Sequence, residues 1–175
     1  MNKKIGMGFF GELDLYLFGE GRHYRLYEKM GAHPFTYRRQ AGIHFAVWAP
    51  HAEEVSVVGD FNGWNPGKTP MKRISGSGIF EAFVPGLKEG ELYKYAISTK
   101  SSSLLMKADP FAFYSEYRPG TASVTADISG FSWSDSAWME KRRNQDPVKA
   151  PIAVYEVHLL SLIHISEPTR PEPIS

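Results

Sequence analysis

Short segments of period-two hydrophobicity, separated by turn-forming residues, restrict the folds open to this chain between Gly42 and Val124. The segments that alternate at strand spacing are Ile43–Trp48, Val55–Val58, Ile79–Val84 and Leu92–Ser98, with weaker candidates at Leu104–Lys107 and Ala122–Val124. Gly, Ser, Pro and Thr cluster between them, which is typical of turns. Because no long amphipathic helix separates these segments, the pattern predicts an all-β fold, an antiparallel β-sandwich.

Length and charge limit the class of protein further. The 175 residues are enough for one sandwich domain with extensions, and a net charge of +1 gives no reason to expect nucleic acid or a membrane surface as a partner. Zero cysteines exclude disulfides and thiol-ligated zinc and are consistent with a reducing compartment. No apolar run approaches the roughly 20 residues of a membrane span, and the apolar start ends at Glu12 and Asp14 without a signal cleavage site. We therefore expect a cytoplasmic protein without a membrane partner.

The segment Val55–Pro66 begins as a strand and ends in a polar turn that carries Trp64, with Asn62 and Asn65 beside it. An indole offers a flat apolar face, and the two amides offer hydrogen-bond donors and acceptors. This combination suits a sugar ring, which has a face of C–H groups edged by hydroxyls. The alternative is that Trp64 closes one end of the sandwich core. The local sequence leaves both interpretations open.

The flanks of the predicted sandwich are different in character. A short helix is predicted around Leu13–Phe18 and a second one at Trp133–Asn144, whose basic last turn we interpret as a solvated helix end rather than a nucleic-acid patch. A linker follows at Asp146–Pro151. The apolar run Ile152–Leu159 is typical of a strand buried on both faces, as in parallel sheets and barrels.

Seven segments, in order along the chain, resemble the N-terminal part of bacterial 1,4-α-glucan (glycogen) branching enzymes. They are Tyr24–Pro34, Phe45–Pro50, Val57–Trp64, Leu92–Tyr95, Lys107–Ala112, Arg118–Ser123 and Ile152–Leu159. The resemblance implies an immunoglobulin-like, family 48 carbohydrate-binding module at residues 42–128. It also implies an N-terminal extension at 1–41, a helix and linker at 129–151, and the first strand of a glycoside hydrolase family 13 (β/α)8 barrel at 152–159.

The resemblance also carries expectations about chemistry. Branching enzymes transfer α-1,4-glucan segments to form α-1,6 branches, and a retaining reaction of this kind needs two carboxyl groups about 5 Å apart. In the family these groups lie downstream of the first barrel strand, so we expect no catalytic residue in this chain, and we also expect no metal and no cofactor. The implied partners are an α-glucan (glycogen or maltooligosaccharide) and the parent enzyme's own catalytic barrel.

Related modules contact glucan through a loop tryptophan, a strand lysine and a hydrophobic residue further on. By position these are Trp64, Lys94 and either Leu105 or Met106. Strand alternation supports Lys94 independently, because it places Tyr93 and Tyr95 on the opposite face.

Other polar residues have simpler interpretations in the sequence. Asp109, before Pro110, is interpreted as turn chemistry, and Glu53 and Glu54 as a solvated turn. His44 is interpreted as a packed strand residue rather than a ligand, since the histidines show no local metal-binding spacing.

Three alternatives to a branching-enzyme module remain. They are the module of a debranching or trehalose-forming enzyme, a non-catalytic glycogen-binding protein, and a sandwich with a purely structural role. After Leu159 the chain departs from the family pattern, and residues 160–175 resemble translated sequencing-adapter sequence. We expect this tail to be non-native.

Overall fold

The computed structural model describes residues 4–74, 76–100, 103–146, 148–149, 151, 153–154 and 156. The chain divides into two compact units, Met1–Phe131 and Ser132–Ser175. The predicted barrel strand at 152–159 lies largely, and the tail at 160–175 entirely, outside the described residues. None of the helices in the described part of the chain has the length and apolar character to cross a bilayer.

The first unit is built mainly from short strands. They are β1 (Lys4–Ile5), β2 (Phe10–Gly11), β3 (Gly31–Tyr37), β4 (Gln40–Trp48), β5 (Glu54–Gly59), β6 (Lys72–Arg73), β7 (Ile79–Pro85), β8 (Leu92–Ser98), β9 (Leu104–Lys107), β10 (Tyr114–Ser115) and β11 (Ser123–Val124). Helix α1 (Glu12–Gly19) and 3-10 helices at Leu26–Glu28 and Asp60–Asn62 complete this unit. In the second unit, α2 (Ser136–Asn144) has no buried residue and starts three residues after the predicted Trp133.

Two antiparallel sheets form the sandwich. One has the strand order β3-β4-β7-β6, and the other has the order β10-β11-β8-β5, with β9 also paired to β8. The core between them includes Phe45, Val57, Phe80, Tyr93 and Tyr95, each at most 3% exposed. The predicted antiparallel sandwich is confirmed, and the period-two segments put their expected faces into the core.

Strand β3 is part of the sandwich, although the sequence places residues 1–41 in an extension. It pairs with β4 from Gly31↔Ala46 to Tyr37↔Gln40. Pro34 interrupts its strand pattern, yet β3 lies at the edge of its sheet, where a residue without an N–H group is tolerated. The first strand of the sandwich therefore begins before Gly42.

The N-terminal segment covers the outer face of the β3-β4-β7-β6 sheet. Phe10 and Met30, each 1% exposed, pack with Ala46 and Ile79 in a second apolar cluster on this face. For this reason every residue from Ile43 to Val47 is buried, whichever face of the sheet its side chain points to. The extension is an integral layer of the first unit.

A buried hydrogen-bonded pair, His44 and Glu81, lies beneath this layer. His44 Nε2 lies 2.9 Å from Glu81 Oε2, and Met7 N–H donates to Glu81 Oε1 at 2.8 Å. A Cβ atom at Gly6 would overlap the Glu81 carboxylate, and the φ of +59° at Gly6 also favours glycine. His44 is thus the packed strand residue that the sequence predicts.

The pair makes stability depend on pH. Burial lowers the pKa of His44 below its ordinary value of 6.5, although the hydrogen bond to Glu81 opposes the change. The buried Nδ1 atom has no hydrogen-bond partner, so a proton added there would also be unpaired. Between pH 6.5 and the lower pKa of folded His44, the unfolded chain therefore binds a proton that the folded chain does not.

We expect the free energy of unfolding to fall as the pH drops below 6.5, as measured by urea denaturation at pH 7.5 and 5.5. His44→Gln retains a donor for Glu81 without titrating, so the loss between the two pH values should shrink in this variant. His51→Gln, at an exposed position, is the matched control and should keep the native dependence. Equal pH dependence in the native chain and His44→Gln would contradict this account.

Candidate functional site

The loop after β5 is built by Asn62. Gly59 N–H donates to Asn62 Oδ1 at 3.1 Å, and Asn62 Nδ2 donates to Val57 O at 3.0 Å and to Thr69 Oγ1 at 2.9 Å. The residue is only 7% exposed, and both ends of its amide are used inside the protein. Asn62 therefore shapes the loop, and the structure does not place it where a ligand would contact it.

Trp64 follows this loop and is held from two directions. Its backbone N–H donates to Gly59 O at 2.9 Å, and its indole Nε1–H donates to Asp60 Oδ1 at 2.7 Å. Its φ of +57° lies in the left-handed region, which costs a non-glycine residue about 1–3 kcal/mol. The surrounding loop therefore fixes both the backbone and the ring of Trp64.

The position of Trp64 separates the two interpretations of the sequence. Among the described residues, Phe61 rather than Trp64 packs against the main core, with its ring stacked 6.3 Å from that of Phe45. Trp64 is half-buried and belongs to neither core cluster. Beside it, Asn65 is exposed, and its Oδ1 accepts the Gly67 N–H at 2.9 Å.

Strand register decides which other predicted residues share a face. Lys94 pairs with Val58, and two residues further along β8, Ala96 pairs with Met106. Lys94 and Met106 therefore project from the outer face of the sheet. Leu105 pairs with Ile97, whose side chain packs against the core, so it belongs to the opposite face. Of the two hydrophobic candidates, only Met106 shares the face of Lys94.

The loop that carries Trp64 begins one residue after the Val58–Lys94 pair, at Gly59. We refer to Trp64, Asn65, Lys94 and Met106 together as the outer surface.

Two residues at the outer surface were not predicted. Asp60 orients the indole, and its position four residues before Trp64 was the available signal. Thr121 Oγ1 accepts a hydrogen bond from Lys94 Nζ at 2.6 Å. It lies 27 residues along the chain from Lys94, and no local pattern connects the two.

Asp109 begins the turn that the sequence predicts, in which Ala112 N–H donates to Asp109 O at 3.3 Å, and it also supports β8 from inside the sandwich. It is 7% exposed and accepts hydrogen bonds from the hydroxyls of Tyr93 (2.6 Å) and Tyr95 (3.1 Å) and from Phe111 N–H (2.8 Å). Burial raises the pKa of this carboxyl above 3.8, although the tyrosine hydrogen bonds oppose the change. Burial and the neighbouring Asp109 charge also raise the pKa of Tyr93.

Groups of three or more His, Asp and Glu side chains suited to a metal ion do not occur in the described part of the chain. The sheet face supplies an ammonium group and a thioether, from Lys94 and Met106, and the loop after β5 supplies an aromatic face and an amide, from Trp64 and Asn65. These groups can stack on an apolar ring and hydrogen-bond to hydroxyls, which is the chemistry of a carbohydrate-binding module.

The family comparison agrees with this class of protein. Residues 29–112 match carbohydrate-binding module 48, described as the isoamylase N-terminal domain. This region of the chain, which begins just before β3 and ends after Asp109, belongs to the carbohydrate-binding module 48 family.

Curated relatives extend the similarity over most of the chain. The chain is 50% identical over 161 residues to the 1,4-alpha-glucan branching enzyme GlgB of a Synechococcus species, covering 92% of this chain and 21% of that enzyme. It is 52% identical over 155 residues to GlgB of Thermosynechococcus vestitus, covering 89% and 20%. The chain therefore spans about a fifth of the length of these relatives. Among solved structures, ligand-free PulA from Klebsiella pneumoniae matches with 27% identity and a TM-score of 0.45, covering 56% of this chain and 9% of that one.

Proposed function

We propose that this chain carries the α-glucan-binding module of a 1,4-alpha-glucan branching enzyme and contacts glycogen or maltooligosaccharide through the outer surface. The observation that carries the proposal is the position of Trp64. Its indole lies outside both core clusters and is locked in place by Asp60. The similarity to branching enzymes at about half identity favours this enzyme class over the other glucan-active enzymes considered.

Each group of the outer surface has a separate part in binding. The indole stacks on the C–H face of a glucose ring, and the fixed ring loses little conformational entropy on binding. Lys94 donates to sugar hydroxyls from the same sheet face, and Thr121 limits the range of positions that its ammonium group samples. Met106, 43% exposed, adds an adaptable apolar contact.

The wider role follows from the relatives. In the whole enzyme, the module would hold the polymer beside the parent's catalytic barrel, which would transfer α-1,4 segments to α-1,6 positions. Tethering a binding module raises the local concentration of the bound polymer at the catalytic domain. We expect the 175-residue chain by itself to have no branching activity, and we assign the protein to the cytoplasm, where glycogen is made.

Affinity electrophoresis tests the proposal directly. We expect the native chain to be retarded in native gels that contain glycogen and to migrate freely in gels that contain a β-linked glucan at equal mass concentration. A branching assay with the same preparation should show no formation of α-1,6 links. Equal migration in both polysaccharides would contradict glucan recognition by this chain.

A further inference from the structure

A cleft in the first unit shares no lining residue with the outer surface. It has a volume of about 510 Å³ and is formed by the N-terminal segment, the start of β3 and the chain after β11. Its lining includes Phe9, Tyr27, His33, Phe113, Asp127 and Ser129. We propose that this cleft is a second α-glucan-binding site, an inference that rests on the proposed function of the chain.

One wall of the cleft is a fixed set of rings. The His33 ring stacks on Phe9, with a centroid distance of 5.6 Å and an interplanar angle of 28°, and meets Phe113 edge-on at 5.6 Å. Behind them Phe9 stacks on the buried His44 at 4.2 Å. Tyr27, 45% exposed, adds a ring that solvent reaches. The wall is therefore aromatic and already ordered before any ligand arrives.

Polar groups stand beside these rings. His33 Nε2 lies 2.8 Å from Met30 O, and since a carbonyl only accepts, this nitrogen carries the proton. In the neutral imidazole, Nδ1 is then an acceptor. Asp127 Oδ1 accepts the Ser129 N–H at 2.8 Å, and hydrogen bonding from Ser129 lowers the pKa of this carboxyl. An ionised carboxylate keeps further lone pairs for hydroxyl donors.

The charge of the lining selects the class of ligand. Glu28, which is paired with Arg25, and Asp127 both contribute carboxylates to it, whereas Lys and Arg are absent from the described lining residues. Phosphate groups and acidic sugars would meet like charge here. A neutral molecule with an apolar face and many hydroxyls fits instead, and the volume lies within the range of about 300–1,000 Å³ that is usual for ligand sites. An α-glucan segment has these properties.

Two separate sites would act together on a polymer. Once one site has bound a glycogen particle, the second encounters other chains of the same particle at high effective concentration. Short oligosaccharides reach only one site at a time. Retention by glycogen should therefore weaken when either site is lost, whereas each site keeps its own affinity for maltotetraose.

The test is a titration of the full chain with maltotetraose, followed by ¹H–¹⁵N NMR. We expect the Trp64 indole N–H signal and the backbone amides of His33, Phe113 and Ser129 to shift with separate binding curves. Tyr27→Ala should weaken the cleft curve by about threefold to tenfold, the range expected for one lost ring contact, and leave the Trp64 curve unchanged. Tyr27→Phe keeps the ring and should keep the affinity.

Tyr24→Ala is the matched control. Tyr24 is an 89% exposed tyrosine of the same segment, but it does not line the cleft, so the cleft curve should be unaffected. If the Trp64 signal shifted during the titration while the cleft amide signals did not, the second site would be overturned and the proposed function would stand. If neither the Trp64 indole signal nor the cleft amides shifted, both the second site and the proposed function would be contradicted. Equal weakening by Tyr27→Ala and Tyr24→Ala would also overturn the assignment of the cleft.

Discussion

Replacing Asp109 by alanine is expected to lower the free energy of unfolding by about 3 kcal/mol or more. The substitution leaves the hydroxyls of Tyr93 and Tyr95, both 0% exposed, without their carboxylate acceptor inside the core. It also removes the acceptor of Phe111 N–H, which helps to hold the chain between β9 and β10. Urea denaturation followed by tryptophan fluorescence measures the loss.

Two variants distinguish the loss of the Asp109 hydrogen bonds to Tyr93 and Tyr95 from the general effect of removing a carboxylate. Asp109→Asn keeps one side-chain oxygen as an acceptor and should lose less stability than Asp109→Ala. Asp127→Ala removes an exposed acid and should change the free energy of unfolding by less than about 0.5 kcal/mol. A loss of less than about 1 kcal/mol in Asp109→Ala would show that the tyrosine hydroxyls find other partners.

The network also has a pH signature. Because the pKa of Asp109 is raised in the folded protein, the unfolded chain releases this proton at lower pH than the folded one. Its contribution to stability is therefore complete below 3.8, the ordinary aspartate pKa, and is lost as the pH rises from there through the folded pKa. Asp109→Asn should remove this part of the dependence.

Trp64→Ala is expected to abolish most of the retardation by glycogen, with at least a tenfold loss of affinity at the outer surface. The indole is the largest apolar face of that surface and lies outside the core clusters, so its removal should cost binding rather than folding. Native gel electrophoresis across a range of glycogen concentrations measures the affinity. Thermal unfolding of the same samples checks that the fold is kept.

The controls for Trp64 use its neighbours and a second tryptophan. Trp138→Ala removes an indole that is 59% exposed in the second unit and should leave retardation unchanged. Asp60→Ala frees the Trp64 ring and should weaken binding, whereas Asp60→Asn keeps an acceptor for the indole N–H and should weaken it less. Unchanged retardation in Trp64→Ala would remove this residue from the binding site and leave the family membership intact.

The pattern of strands could be predicted from the sequence because side-chain direction along a strand is a local property. Leu92–Ser98 and Leu104–Lys107 have the predicted bounds, and Lys94 lies on the face opposite Tyr93 and Tyr95 as alternation requires. The motif around Trp64 likewise indicated a polar turn at the end of a strand, and the structure has one.

Predictions that depended on distant partners were incomplete. The turn predicted at Asp109 is confirmed by the hydrogen bonds from the Phe111 and Ala112 N–H groups, but its role in the core was missed, because the tyrosines that hold it lie 14 and 16 residues away. The edge position of β3, which accommodates Pro34, becomes visible only once the strand order is known. Asn62, predicted to contact a ligand, is used entirely by the backbone and side chain around it.

Local sequence specifies the strand segments, the faces they bury and the turn that presents Trp64, since these follow from short-range periodicity and turn chemistry. Three features follow from long-range packing instead: Met106 rather than Leu105 shares the face of Lys94, Thr121 holds Lys94, and the N-terminal segment buries the second face of β4. Register and layer packing bring together residues far apart in the chain. Their relative positions are set by the cooperative packing of the whole domain, which no local window of sequence contains.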